Sequence, residues 1–170
     1  MKSIVSTADS PSAQLPYRPC VGIMLVGRHG GVWIGARRPK WLGEADASIW
    51  QMPQGGIEKG EAPLEAALRE LGEETGVTNV AVLGEVSRWL SYDLPPDLVG
   101  VALKGRYRGQ RQRWFAMRHL GGDREIDIRG RKGCKAEFDD WRWAELDELT
   151  DIAVPFKRGV YREVVAAFRH

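Results

Sequence analysis

The chain has 170 residues, a length that a single domain commonly occupies. Hydrophobic residues make up 43% of it, which is enough for a sizeable core, and the formal net charge of +2 is close to balance. This composition argues against a strongly basic nucleic-acid coat protein, and no apolar run approaches the roughly 18 residues of a membrane span.

The N-terminal segment and the cysteines indicate the organisation of the chain. Residues 1–16 are rich in Ser, Ala and Pro and contain no apolar core of a signal peptide, so we expect a flexible N-terminal arm followed by one domain over residues 17–170. Cys20 and Cys134 are too few for a disulfide framework and are expected to be free thiols. We therefore expect a cytoplasmic protein with no membrane association.

The first predicted elements are short strands. Residues 20–26 form an apolar run, residues 27–31 form a glycine-rich turn, and residues 32–36 return as a second strand. Residues 39–48 are polar and irregular. Residues 49–54 then lead in extended form to a pair of glycines.

A helix is predicted over residues 63–75. Proline suits the first turn of a helix, and Gly76 suits the position just after its end. Leu64, Leu68 and Leu71 recur at helical spacing. These three leucines are predicted to face the core.

Three glutamates lie close together on the same helix. At roughly 100° per residue, Glu70, Glu73 and Glu74 are predicted to lie on a different face from the leucines. Like charges at this spacing repel one another. Oxygen ligands at this density suit Mg²⁺ or Mn²⁺, which would relieve the repulsion. The helix alone leaves open an alternative, an ordinary acidic surface helix.

Further strands and a second helix follow. The strands are predicted at residues 80–90, 106–118, 123–128 and 138–144. The intervening segments include a proline-containing loop over residues 91–105 and a basic, glycine-containing loop over residues 129–135. A closing helix is predicted over residues 155–169, with Val160, Val164 and Phe168 as its apolar stripe. Strands interleaved with two helices predict an α/β sandwich.

A longer pattern surrounds the acidic helix. It runs from Gly55 through five residues to Glu61, and after seven more to residues 69–77, Arg-Glu-Leu-Gly-Glu-Glu-Thr-Gly-Val. This pattern resembles the Nudix box at every specified position. The resemblance implies an α/β Nudix fold, in which a mixed β-sheet lies between α-helices. It also implies a loop–helix–loop that holds Mg²⁺ or Mn²⁺, with more than one ion, against a pyrophosphate.

The same resemblance implies roles for individual residues. Glu70, Glu73 and Glu74 would be metal ligands, and either Glu73 or Glu74 would also act as the base that activates water. Gly55 would contribute a backbone carbonyl to the metal. Arg69 would hold a glutamate in place through a salt bridge.

Segments outside the box resemble one Nudix subfamily, the bacterial RNA pyrophosphohydrolases and related dinucleoside polyphosphate hydrolases. These segments are residues 17–19, 54–56, 89–92, 109–115, 137–138, 141–143 and 154–161. By this resemblance, Arg18 and Arg38 would bind the polyphosphate through their guanidinium groups. Tyr92 and Phe156 would sandwich a base, with Lys157 beside it.

Glu137 matches a fourth metal-binding glutamate of this subfamily. Relatives usually carry proline before that glutamate, whereas this chain has Ala136, so a more mobile loop is expected here. The chain is accordingly predicted to be a metal-dependent hydrolase that removes pyrophosphate from RNA 5′ ends. The alternatives are a dinucleoside polyphosphate hydrolase and a non-catalytic nucleotide-binding module.

The two candidate substrates differ in what lies beyond the first nucleotide. Basic residues that could contact downstream RNA are Arg111, Arg113, Arg129, Arg131, Lys132 and Lys135. The alternative interpretation is that the basic loop is simply solvated. A monomer is expected, although the sequence leaves the oligomeric state open.

Overall fold

The computed structural model describes residues 11–130, 133 and 135–169. Residues 1–10 of the predicted arm lie outside this part, so the division between arm and domain stays a prediction. Cys134, Arg131 and Lys132 also lie outside it. Cys20 is a buried free thiol, as predicted, and burial raises the pKa of this thiol to about 11.

Eight strands and three α-helices make up the described part. The strands are β1 (Tyr17–Val26), β2 (Val32–Arg37), β3 (Ile49–Gln51), β4 (Gln54–Gly56), β5 (Val80–Glu85), β6 (Leu90–Asp93), β7 (Gly109–His119) and β8 (Asp140–Ala144). The helices are α1 (Pro63–Thr75), α2 (Leu149–Ile152) and α3 (Arg158–Phe168). No helix among these is long and apolar enough to cross a membrane.

The strands form one mixed sheet. Its central order is β3-β2-β1-β7-β5, while β4 pairs with β1, β6 with β7 and β8 with β2. Strands β1 and β7 are parallel over their whole paired length, and the other pairs are antiparallel. One hydrophobic cluster includes α1 on one face of the sheet, and another includes α3. The predicted α/β sandwich with a mixed sheet is confirmed.

Two strand predictions were wrong. Residues 80–90 are not one strand but parts of β5 and β6, which both pair with β7. Residues 123–128 do not form a strand, because the segment turns in a 3₁₀ helix at Asp123–Glu125. The backbone N–H of Asp127 then donates to the carbonyl of Thr75 at 2.7 Å. This segment therefore packs against the end of α1.

Helix α1 buries a different face from the one predicted. Leu64 and Leu68 are each 39% exposed, whereas Leu71 is fully buried. The buried face also contains four small or short residues, Ala66, Ala67, Gly72 and Thr75. Their small side chains bring the helix close to the sheet. The carboxylates consequently border the buried face, and burial shapes their chemistry.

This packing predicts unequal costs for two matched leucine substitutions. Leu71→Ala should lower the free energy of unfolding by about 2–5 kcal/mol, because it leaves a cavity in the core. Leu68→Ala should change it by less than about 1 kcal/mol, because its side chain is substantially exposed. Urea denaturation of both variants measures the difference. Equal costs would mean that the leucine stripe is the buried face after all.

Candidate active site

A cavity of about 470 Å³ lies where β1 and β7 begin and β2 ends. Several residues that the sequence analysis selected line this cavity: Arg18, Gly55, Tyr92, Glu137, Phe156 and Lys157. The lining also includes four residues that the sequence analysis did not select: Arg37, Gln51, Gln54 and Gln110. The cavity therefore joins the glycine-containing strand of the box to cationic and aromatic side chains.

Position 55 requires glycine because its backbone lies against a side chain of α1. It lies in β4 opposite Val21 of β1. A Cβ atom at this position would overlap the carboxylate of Glu70. Glycine thus allows the Glu70 carboxylate to lie directly against the backbone of β4, where the box pattern expects a carbonyl ligand.

Arg69 connects the loop of the box to the helix. Its Nε donates to Glu61 Oε2 at 2.8 Å, and its Nη2 donates to Glu61 Oε1 at 2.9 Å and to the Gly56 carbonyl at 2.8 Å. Its Nη1 lies 2.9 Å from Glu70 Oε1 and 3.3 Å from Glu73 Oε2. Hydrogen bonds from Arg69 lower the pKa of Glu61 to about 2. One guanidinium therefore orients two of the predicted ligands.

The pKa values of the Glu70 and Glu74 carboxyl groups are raised. Burial raises the pKa of Glu70, and Arg69 opposes this shift. Burial raises the pKa of Glu74 well above its usual range, and the charges of Glu70 and Glu137 raise it further. The backbone N–H of Gln54 donates to Glu74 Oε2 at 3.2 Å.

This donor set fits a divalent cation. No three His, Cys, Asp or Glu side chains of the described ranges already converge closely enough to hold a metal ion. Arg69 holds one oxygen of Glu70 and Gln54 holds one oxygen of Glu74, while their other oxygens have no partner among the described residues. A hard cation between them would compensate the buried negative charge, which is the environment that Mg²⁺ and Mn²⁺ prefer.

Glu137 is placed at the cavity by an arginine that the sequence analysis passed over. Its Oε1 lies 3.1 Å from Nη1 of Arg37. Strand alternation could have indicated Arg37, because Arg37 lies on the same face of β2 as Trp33 and Gly35. Both of those residues contact Phe138, which directly follows Glu137 in the chain.

Arg38, which was predicted to bind the polyphosphate, is not among the residues that line this cavity, and its role stays a prediction. It follows the end of β2 and donates instead to backbone carbonyls of the next loop, at 2.6 Å from Asp46 and 2.8 Å from Gly43. Arg38 therefore holds the loop to the end of β2, whereas Arg37 lines the cavity.

The predicted aromatic sandwich is closed. The rings of Tyr92 and Phe156 are 5.6 Å apart between centroids, tilted by 42°. A base stacked between two rings requires roughly 7 Å between the ring centroids, the sum of two van der Waals contacts. The rings of Tyr92 and Phe156 are closer than this, so they pack against each other. Trp41 contacts Phe156 on the cavity side at 6.1 Å between centroids. Base stacking by this aromatic group stays a prediction, and it requires the group to open.

Lys157 lines the cavity next to the ring of Tyr92. Its Nζ is 5.7 Å from the centroid of Tyr92 and donates to Gln51 Oε1 at 3.3 Å. Burial, followed by the positive charge of Arg37, lowers the pKa of Lys157 to about 7. An incoming anion would favour the charged form of this lysine.

Phe156→Ala is expected to weaken binding of nucleotide substrates by roughly 1–3 kcal/mol, the worth of one stacking contact. The effect should appear in KM for nucleotide substrates and be small for inhibition by inorganic tripolyphosphate, which has no base. Phe168→Ala is the matched control, because Phe168 packs against the same hydrophobic cluster and does not line the cavity. Equal weakening of both ligands would locate the damage in the phosphate site or the fold.

Comparison with known proteins agrees with this geometry. The NUDIX domain family matches residues 16–166. The chain belongs to the Nudix family. Among curated relatives, an RNA pyrophosphohydrolase of Brucella anthropi is 58% identical over 159 residues, covering 92% of this chain and 91% of the relative. The Brucella ovis RNA pyrophosphohydrolase is 57% identical, with 92% and 89% covered.

Solved structures support the Nudix fold at much lower identity. The E. coli dihydroneopterin triphosphate pyrophosphohydrolase has a TM-score of 0.64 at 17% identity, covering 90% of this chain and 97% of that one. A C. elegans Ap4A hydrolase has a TM-score of 0.62 at 18% identity, covering 89% and 98%. The activity rests on the family match and on the curated relatives, which indicate a Nudix pyrophosphohydrolase. Nudix hydrolases generally depend on divalent metal ions, which accords with the donor set on α1.

Proposed function

We propose that this Nudix hydrolase removes pyrophosphate from the 5′-triphosphate end of RNA and leaves a 5′-monophosphate, the first step in the decay of an mRNA. The observation that carries the proposal is a cavity lined by guanidinium groups, by aromatic rings and by Gly55, which lies against the Glu70 carboxylate of the acidic helix. Such a cavity suits a base joined to a polyphosphate. The names of the 57–58% identical relatives support RNA as the substrate.

The metal site is proposed on the residues of the box. Glu70, Glu73 and Glu74 would hold Mg²⁺ or Mn²⁺, and we propose more than one ion because three carboxylates carry more negative charge than a single divalent cation compensates. The carbonyl of Gly55 and the carboxylate of Glu137 would complete the ligand set. When bound, these ions neutralise the charge of the polyphosphate and lower the pKa of the attacking water.

The protein side chains supply positioning and a proton acceptor. Arg18 and Arg37 would bind phosphate oxygens, as arginine's planar fork favours. Glu73 or Glu74 would accept the proton of the attacking water. Direct attack by water is preferred because phosphoryl transfer needs positioning and charge neutralisation more than covalent chemistry. Arg69 would keep Glu70 and Glu73 in place.

Dinucleoside polyphosphates are the second candidate substrate. They also present a purine followed by a polyphosphate, so the cavity alone does not distinguish them from RNA. Contacts with the RNA backbone beyond the first nucleotide could distinguish the two substrates. Among the described basic residues, Arg113 pairs with Glu85 at 2.9 Å and Arg129 pairs with Asp127 at 2.9 Å. Arg111, which is exposed and lies over the ring of Trp89, and the exposed Lys135 are therefore the candidates for a downstream phosphate.

The test compares kcat/KM for a short 5′-triphosphate RNA and for diadenosine tetraphosphate as salt is raised, with Mg²⁺ present. Each phosphate contact releases counterions, so the RNA reaction should fall more steeply with salt. Arg111→Ala should flatten the slope for RNA and leave the dinucleotide reaction unchanged. If the dinucleotide is cleaved at least as fast as RNA with the same slope, the dinucleotide function replaces the RNA function.

A further inference from the structure

Three side chains on neighbouring strands form a row along the cavity. Arg18 of β1 is the register partner of Gln110 of β7, and Gln110 is also the partner of Tyr92 of β6. Paired residues of adjacent strands lie on the same face, about 4.8 Å apart. All three line the cavity. Gln110 therefore lies between a cation proposed for phosphate and an aromatic residue proposed for the base.

The orientation of the Gln110 amide is fixed by a buried chain of hydrogen bonds. Nε1 of Trp114 donates to Gln112 Oε1 at 3.0 Å, and an indole N–H can only donate. Gln112 must therefore present its Nε2 on the other side, where it donates to Gln110 Oε1 at 2.9 Å and to Gln54 Oε1 at 3.3 Å. One indole thus sets the direction of three amides.

This series of hydrogen bonds ends at the Nε2 donor of Gln110. Gln110 is 2% exposed, Gln112 is 1% exposed and Trp114 is fully buried, so water competes little for these bonds. Because Oε1 of Gln110 accepts from Gln112, its Nε2 points away from Gln112. Within the part of the chain that the structure describes, that Nε2 has no hydrogen-bond partner. Gln110 lines the cavity, so a ligand there that supplies an acceptor can take up this hydrogen bond.

We propose that Gln110 donates a hydrogen bond to the 2′-hydroxyl of the first ribose, with Gln112 and Trp114 as positioning residues. The inference rests on the proposed function. The sugar is the part of a nucleotide that lies between phosphate and base, which is the place of Gln110 in the row. Of the ribose oxygens, the 2′-hydroxyl is a better acceptor than the ester oxygens, and it is the group that distinguishes RNA from DNA.

The experiment uses two 5′-triphosphate RNAs that differ only in the 2′-hydroxyl of the first nucleotide. The full-length wild-type enzyme with Mg²⁺ should cleave the hydroxyl form with a kcat/KM about fivefold higher, the worth of one net hydrogen bond. Gln110→Met should bring this ratio close to one. Gln112→Met should reduce it in part, because the Gln110 amide becomes free to rotate. The ratio is measured within each variant, so a general loss of active enzyme cancels.

Gln110→Leu provides a second variant in case Gln110→Met does not fold. Its side chain offers neither a donor nor an acceptor to the 2′-hydroxyl, so the ratio should again fall to about one. The inference is overturned if the wild type cleaves both RNAs equally, or if the ratio stays about fivefold in the folded Gln110 variants. In both cases pyrophosphate release from triphosphate RNA still stands. If neither RNA releases pyrophosphate, the proposed function fails and the inference fails with it.

Discussion

Glu74→Gln is expected to lower turnover by about 100-fold or more and to raise the melting temperature of the enzyme measured without metal. The loss of turnover follows from the proposed role of Glu74 as ligand or base. The gain in stability follows from its raised pKa, which burial and the charges of Glu70 and Glu137 cause. Glutamine keeps the volume and an acceptor for the Gln54 N–H, but it removes the buried charge.

The sign of the stability effect depends on pH. The pKa of Glu74 is higher in the folded chain than in the unfolded chain, where it is about 4.3. Above that value, the unfolded chain ionises more readily, and the carboxylate therefore destabilises the fold. Below it, both states are protonated and the advantage of glutamine disappears. The difference in melting temperature between Glu74→Gln and wild type should therefore be larger at pH 7 than at pH 4.

Glu73→Gln is the matched control, since it makes the same change at the neighbouring position. It should also keep the fold and lose most turnover, but without the stability gain, because Glu73 lies beside the Arg69 guanidinium. Rates across a range of Mg²⁺ concentrations separate the roles. Loss of a ligand should raise the Mg²⁺ requirement, and loss of the base should lower the rate at saturating Mg²⁺. A near-wild-type rate in either folded variant would remove that glutamate from the catalytic set.

Local signals made the box helix predictable. Pro63 begins α1, and Gly76 ends it with φ 77°, a left-handed conformation that favours glycine. Its buried face was less predictable, because leucines are more apolar than alanines but do not pack as closely. Ala66 and Ala67 are fully buried while Leu64 is exposed. How close a helix lies to its sheet is a tertiary property, and the helical spacing of leucines carries no information about it.

Contacts between distant segments explain the other errors. Residues 80–90 split into two strands because β7 is long enough to pair with both of them. Arg37, and not Arg38, pairs with Glu137, since the end of β2 decides which arginine points toward it. The contact between Tyr92 and Phe156 joins β6 to the segment before α3, which no local pattern reveals. Local patterns thus predicted the two ends of the box helix better than the contacts between distant segments.

Arg69→Lys is expected to lower turnover by about tenfold or more and to lower the urea midpoint of unfolding. Lysine keeps the charge, but a single ammonium cannot reproduce the planar fork that spans Glu61, the Gly56 carbonyl and Glu70. The loop of the box would then lose its tie to α1, and Glu70 and Glu73 would lose their orientation.

Acid should reduce the stability difference between Arg69→Lys and wild type. The pKa of Glu61 is lowered to about 2 in the folded enzyme, chiefly by hydrogen bonds from Arg69. The stabilisation from this pair is therefore present above the unfolded pKa of about 4.3 and is lost as pH falls toward the folded value. Urea midpoints at pH 7, 4 and 3 measure this convergence. Arg88→Lys is the control, because the Arg88–Glu163 pair is exposed and should contribute little at any of these pH values. A difference between Arg69→Lys and wild type that stays constant from pH 7 to pH 3 would mean that Glu61 is not the partner through which Arg69 stabilises the fold.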